Sequence, residues 1–206
     1  MAVISNGTTL IDAGALDSGV ATGSLIHIKT LTASSSANLS FVHGSSSVVL
    51  DGTYSEYIFK YINIHPASVA QLVFNLSTDS GSNYNVTKTT SYFTAYQNEG
   101  GSSTNLGYDG SLDLAQSTAY QSMANPVGNG NDESTSGTLF LFSPSSTTFV
   151  KHFICKSNVY HASDYTVNTF MAGYGNTTSA IDAVDFKMSS GNIDSGIIKM
   201  FGLRES

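Results

Sequence analysis

Five histidines, one cysteine and a short acidic loop have the best claim to chemistry in this chain, and their spacing speaks against it. His27, His43, His65, His152 and His161 never fall at the i, i+2 or i+4 spacing that would share a metal with a carboxylate, and no His-Glu-x-x-His is present. His152 and Cys155 are three apart, so in a strand they point to opposite faces and cannot form a Cys-His pair. A serine hydrolase needs Gly-x-Ser-x-Gly at a strand-to-helix elbow, and a nucleotide site needs a glycine-rich loop after a strand; the sequence has neither. No pair of carboxylates sits at a spacing that reads as glycosidase chemistry. The loop Asn129-Gly130-Asn131-Asp132-Glu133 offers oxygen ligands on a turn, as Ca²⁺ sites do, but lacks the EF-hand spacing and reads as a solvated turn. No catalytic residue, cofactor or metal is expected, and the chain is not expected to be an enzyme.

Contact chemistry is left to the tyrosines, of which there are eleven, with no tryptophan. Tyr54, Tyr57, Tyr61, Tyr92, Tyr96 and Tyr174 fall in or beside strand patterns, where they would pack in the core or offer a stacking platform. Tyr92, Tyr96, Tyr108 and Tyr120 are the candidate partner-binding residues.

The elements that would position them are strands. From Thr177 to Leu203 two alternating runs flank a Ser-Gly-Asn connector: Val184, Phe186 and Met188 share a face in the first, Ile198 and Met200 in the second. This period of two predicts a β-hairpin closing a sandwich, its last strand completing the core. LIHIKTL and ANLSFV read as a short hairpin. EYIFKYINI is apolar on both faces, with Tyr57, Phe59 and Tyr61 on one and Ile58, Ile62 and Ile64 on the other, so it should be central or covered by an interface. QLVFNLS, NYNVTKTTSYFTAYQ, GTLFLF, FVKHFICK and TFMAGY continue the series, with NVYHASDYT as a bridge. Between 98 and 136 the pattern dissolves into a long loop excursion, in which Leu112, Ala115, Ala119 and Met123 could share the inner side of a helical turn or two. Residues 1–24 show no sustained periodicity and read as a docking arm. The whole predicts an N-terminal arm and a single all-β domain over 25–206, an antiparallel sandwich or jelly roll of about nine to eleven strands.

Composition narrows the partners. Ser and Thr make up 54 of 206 residues and only 11% are charged, which gives a surface of hydroxyls and amides suited to lying against other protein. A net charge of −7 argues against nucleic acid, whose affinity comes from neutralised phosphates. No apolar run is long enough to span a membrane, and MAVISNGTTL lacks the basic region of a signal peptide. Cys155, as the only cysteine, can make no intrachain disulfide and reads as a small buried apolar residue.

The stretches IKTLTASSSANLSFV, TYSEYIFKYINIHP, GNGNDESTSGTLFLFSPSSTTFVKHFI and NTTSAIDAVDFKMSSGNIDSGIIKMFGL, and above all the terminal pattern S-G-N-I-x-x-G-x-I-x-M-x-G-L, resemble a family of virion structural proteins of tailed bacteriophages, abundant among marine phages. The resemblance covers most of the chain after residue 28 and implies a jelly-roll-like module of the virion, made in the host cytoplasm. The expected function is a non-enzymatic capsid decoration or cement protein, assembled as a symmetric oligomer, with a homotrimer as the expected state. Its partners would be copies of itself and other virion proteins, such as the major capsid protein. The alternative is a tail-fibre or receptor-binding component that contacts a host-surface glycan or protein.

Overall fold

Strands form wherever apolar residues recur at every second position, and the computed structural model, which describes residues 3–5, 8–12, 15–16 and 24–204, contains no helix. Fifteen strands are present among the described residues, against the nine to eleven expected. β1 (Val3–Ser5), β2 (Thr8–Asp12) and β3 (Ala15–Leu16) form a small antiparallel sheet within the stretch read as an arm. The sandwich is built from β4 (Leu25–Ser36), β5 (Leu39–Val42), β6 (Glu56–Pro66), β7 (Leu72–Ser77), β8 (Lys88–Asn98), β9 (Thr104–Tyr108), β10 (Gln121–Ser122), β11 (Thr135–Phe142), β12 (Lys151–His161), β13 (Tyr165–Gly175), β14 (Ala183–Met188) and β15 (Ile193–Leu203). The extra strands are short ones, β1 to β3, β9 and β10, that carry too few residues for an alternation to show.

Two antiparallel sheets result, with orders β4-β15-β6-β11-β12-β13-β8-β9 and β10-β7-β14-β5. The pairings nest from the outside inwards: β4 with β15, β5 with β14, β6 with β11, β7 with β10, alternating between the sheets. That nesting is the winding of a jelly roll. Two insertions, β8–β9 and β12–β13, extend the large sheet beyond β11. The sheets meet through Leu39, Phe41, Phe74, Leu76, Val184 and Phe186 on one side and Tyr57, Phe59, Leu139, Phe153, Ile198 and Met200 on the other, all buried. Ring centroids of Phe41 and Phe59 lie 5.4 Å apart, Phe59 and Phe186 5.4 Å, Phe74 and Phe153 5.2 Å, mostly edge to face.

Four expectations are corrected. The terminal runs are not a hairpin: β14 belongs to the small sheet and β15 to the large one, so residues 189–192 arch over the end of the sandwich. β4 and β5 are likewise an arch between sheets. Alternation locates a strand and its buried face; it does not name the strand's partner. NVYHASDYT is no bridge, because β12 and β13 pair continuously from Lys151↔Gly175 to His161↔Tyr165 around a turn with Asp164 at φ 59°. The helical turn expected around Leu112–Met123 is absent. Thr90 clamps that segment instead, its N–H donating to Leu114 O and its hydroxyl to Gln121 Oε1, while Gln121 Nε2 donates to Leu112 O.

In β6 the expected faces also shift. Asn63 takes φ 50°, which leaves Ile62 and Asn63 both exposed and turns Ile64 inward with Tyr57, Phe59 and Tyr61. Gly196 of β15, at φ 116°, makes room for this bulge: a Cβ there would stand 2.5 Å from Asn63 O.

Candidate interaction surface

The inward face of the large sheet is core, and its outward face is unusually apolar for a strand surface. Register aligns His27, Phe201, Ile58, Phe140, Ile154 and Ala172 in one row across six strands. The next row runs Thr30, Lys199, Lys60, Thr138, Lys156, Phe170, Phe93 and Tyr108 across all eight. Phe93 (40% exposed) and Phe170 stack with centroids 5.1 Å apart, and Ile154 (36%), Ile62 (38%), Leu106 (70%) and Tyr108 (62%) stand on the same side. Single exposed apolar residues are ordinary, whereas a contiguous band marks an interaction face.

The charge on this band is one-sided. Neither row contains an acidic residue, and Lys60 and Lys199 lie directly opposite one another on neighbouring strands. Like charges in that position destabilise a sheet, and Lys60 partly relieves the strain by leaning over the Phe201 ring, 5.9 Å from its centroid. Three of the protein's eight basic residues, Lys60, Lys156 and Lys199, stand in this band.

The four candidate tyrosines do not form one site. Tyr92 is fully buried, its Oη 3.2 Å from Asn125 Oδ1, so it belongs to the core and cannot meet a partner; burial pushes its phenol far above the ordinary range. Tyr96 packs partly buried against Tyr165, with centroids 5.2 Å apart. Tyr108 is exposed on β9 and donates its hydroxyl to Asp113, which raises its pKa. Tyr120 lies over the outer face of the small sheet, where its hydroxyl donates to Asp185 at 2.9 Å and Lys187 sits 4.1 Å from its ring centre; burial and that carboxylate hold its pKa up. Of the others, Tyr57 and Tyr61 are core. Beside Tyr165, residues Gln97, Asn98, Glu99, Asn158, Tyr160 and Thr166 line an open cleft of about 370 Å³.

His152 is exposed and Cys155 buried, on opposite faces of β12 as their spacing requires. Burial raises the Cys155 thiol to about 11. Glu133 turns its carboxylate back onto the N–H of Gly130, and among the described residues no group of three or more His, Cys, Asp or Glu could hold a metal.

Two lysines, Lys88 and Lys151, are fully buried. Lys151 donates to the carbonyl oxygens of Ser146 (2.6 Å), Phe149 (2.7 Å) and Thr177 (3.2 Å), while Lys88 reaches Asn75 and Val86; burial lowers both pKa values, Lys88 to about 7. The signal was in the alternation: Lys151 shares its face with Phe153 and Cys155, Lys88 with Tyr92. Comparison of the chain with family models, with curated proteins and with solved structures finds no match.

Proposed function

We propose that the chain is a non-enzymatic structural protein of a bacteriophage virion, a capsid decoration or cement module that assembles with copies of itself. The resemblance of its strand segments to phage virion proteins supports the virion setting. The observation that carries self-assembly is the apolar, lysine-bearing band on the outer face of the large sheet, Phe201–Ile58–Phe140–Ile154 with Phe170–Phe93 beside it.

Charge selects the kind of assembly. A twofold interface would press this face against itself and set the Lys60–Lys199 row against its own copy. A head-to-tail ring sets it against a different and more acidic surface of the neighbour, and closure of such a ring at three subunits is the proposed state. The test is the solution mass of the purified protein by light scattering, with Ile154→Lys as the disrupting variant. A trimer that falls to monomer in the variant, with its β spectrum kept, supports the reading; a wild-type monomer at all concentrations removes it. Copy number per particle then places the module, with hundreds indicating the head.

A second reading is a receptor-binding component of the tail, favoured by the amide- and tyrosine-lined cleft beside Tyr165. Amides and aromatic rings are the groups that hold sugars. Particles carrying Tyr160→Ala and Tyr165→Ala that adsorb to host cells normally would exclude it.

A further inference from the structure

The amine of Lys88 and the carboxamide of Asn75 are both fully buried and in contact. Lys88 Nζ lies 2.5 Å from Asn75 Oδ1 and 2.8 Å from the carbonyl oxygen of Val86. Given the usual C=O length, the carboxamide carbon Cγ is within about 3.7 Å of the amine, near the separation from which a nucleophile attacks. The carboxamide is held in place. Its Nδ2 donates to Tyr84 O at 2.6 Å and Thr118 O at 3.0 Å, and its Oδ1 accepts the N–H of Leu76 at 2.8 Å. That N–H is aimed at the oxygen on which charge would build during attack, as the donor of an oxyanion hole is.

Comparison with Lys151 shows what is unusual about Lys88. Three carbonyls receive the three protons of the Lys151 ammonium. Lys88 has two acceptors, which matches a neutral amine with two protons and a free lone pair. Burial lowers its pKa to about 7, so the nucleophilic form is well populated at neutral pH. β14 sets Asp185 in register with Asn75, which brings a buried carboxylate to the same face of the sheet.

We propose that Lys88 and Asn75 join in an intramolecular isopeptide bond. Nζ attacks Cγ, the Cγ–Nδ2 bond breaks, the proton given up by the amine passes to Nδ2, and ammonia leaves. No oxidant, cofactor or second protein is required. The bond ties β7 to the start of β8 across the 78–87 loop, a covalent brace in a chain whose one cysteine allows no intrachain disulfide. It stands or falls independently of the proposed assembly.

The test is the intact mass of the purified, folded full-length protein, followed by a peptide map. The expected mass is lower than that of the sequence by one ammonia, about 17 Da, with a branched peptide joining the segments that hold Asn75 and Lys88. Lys88→Met should restore the full mass. A folded wild-type protein at the full sequence mass overturns the proposal. So does a loss that persists in Lys88→Met, which would assign it to another site, such as a succinimide at Asn129-Gly130. If the variant does not fold, the wild-type peptide map decides alone: the branched peptide is there or it is not.

Discussion

Lys88 and Lys151 stand in register with the same residue, Gly175, one on each side of it. All three are buried. A side chain on Gly175 would press on Val86 Cγ1 at 3.1 Å and Leu76 Cδ1 at 3.3 Å, so the glycine is what lets this end of the sheet pack. The two lysines then diverge, one into a tripod of carbonyls and one onto a carboxamide.

The tripod predicts the effect of Lys151→Met. The substitution keeps the aliphatic stem and leaves the carbonyls of Ser146, Phe149 and Thr177 without this donor. Against that loss stands the relief of burying a charge, so the net destabilisation should be about 1–3 kcal/mol in urea at neutral pH. Burial lowers the folded pKa of Lys151 below its ordinary 10.5. The unfolded chain therefore holds the extra proton between those two values, and wild-type stability should gain from this group as pH rises through that window. An unchanged urea midpoint in the variant would count against the tripod.

Cys155 should be inert while the protein is folded. The thiol is buried, with its pKa raised to about 11 by desolvation, so almost no thiolate exists at pH 8. A disulfide reagent should label it at least about a hundredfold more slowly in the native protein than in guanidinium. Rapid native labelling would mean that β12 opens locally.

Tyrosine ionisation should be coupled to unfolding at high pH. Burial holds Tyr61 and Tyr92 well above the ordinary value near 10, so the stability they confer is full below that value and is lost as pH climbs through their folded pKa. Phenolate absorbance should rise in two stages, the second coinciding with loss of β signal in circular dichroism. A single smooth titration near pH 10 with the sheet intact would contradict their burial.

What the sequence reveals and hides follows from the physics of alternation. Val184, Phe186, Met188, Ile198 and Met200 are core as read, because period two reports burial directly. Their strands' partners were not legible: an arch and a hairpin differ only in whether four residues turn in one sheet or cross to the other. The bulge at Asn63 was hidden because its cause, the space above Gly196, lies on a strand at the far end of the chain. Tyr92 shows the limit on sites. Its strand is legible in the alternation, yet a tyrosine on an inward face and one on an outward face look alike until the sheet has a known partner. Lys88 and Lys151 are not legible as buried from their type, because lysine is almost never fully buried, although Thr90 and Phe153, which share their faces, are inside.

Gly196→Ala tests the bulge. At φ 116° an L side chain is strained, and its Cβ would meet Asn63 O at 2.5 Å and Ile64 Cα at 2.8 Å, both backbone atoms that cannot swing aside. The cost should exceed about 2 kcal/mol and should appear in thermal or urea unfolding. Gly52→Ala is the control, since its nearest neighbour is the Ser145 hydroxyl at 3.6 Å and its φ is ordinary. Equal midpoints for the two variants would mean that the β6–β15 register is not the one described.

Lys60→Glu separates the stability of the subunit from that of the assembly, because the two should move in opposite directions. Within one subunit the substitution replaces the Lys60–Lys199 repulsion by attraction across the strands, a gain of at most about 1 kcal/mol since the site is exposed. Between subunits of a head-to-tail ring it puts an acid where the lysine row meets an acidic neighbour, so association should weaken by about tenfold or more and the wild-type assembly should loosen as salt is raised. Sedimentation at two ionic strengths, alongside thermal unfolding, reads both quantities. A variant that associates more tightly than wild type would mean that like faces meet across a twofold axis, with the introduced carboxylate of one copy pairing the lysines of the other.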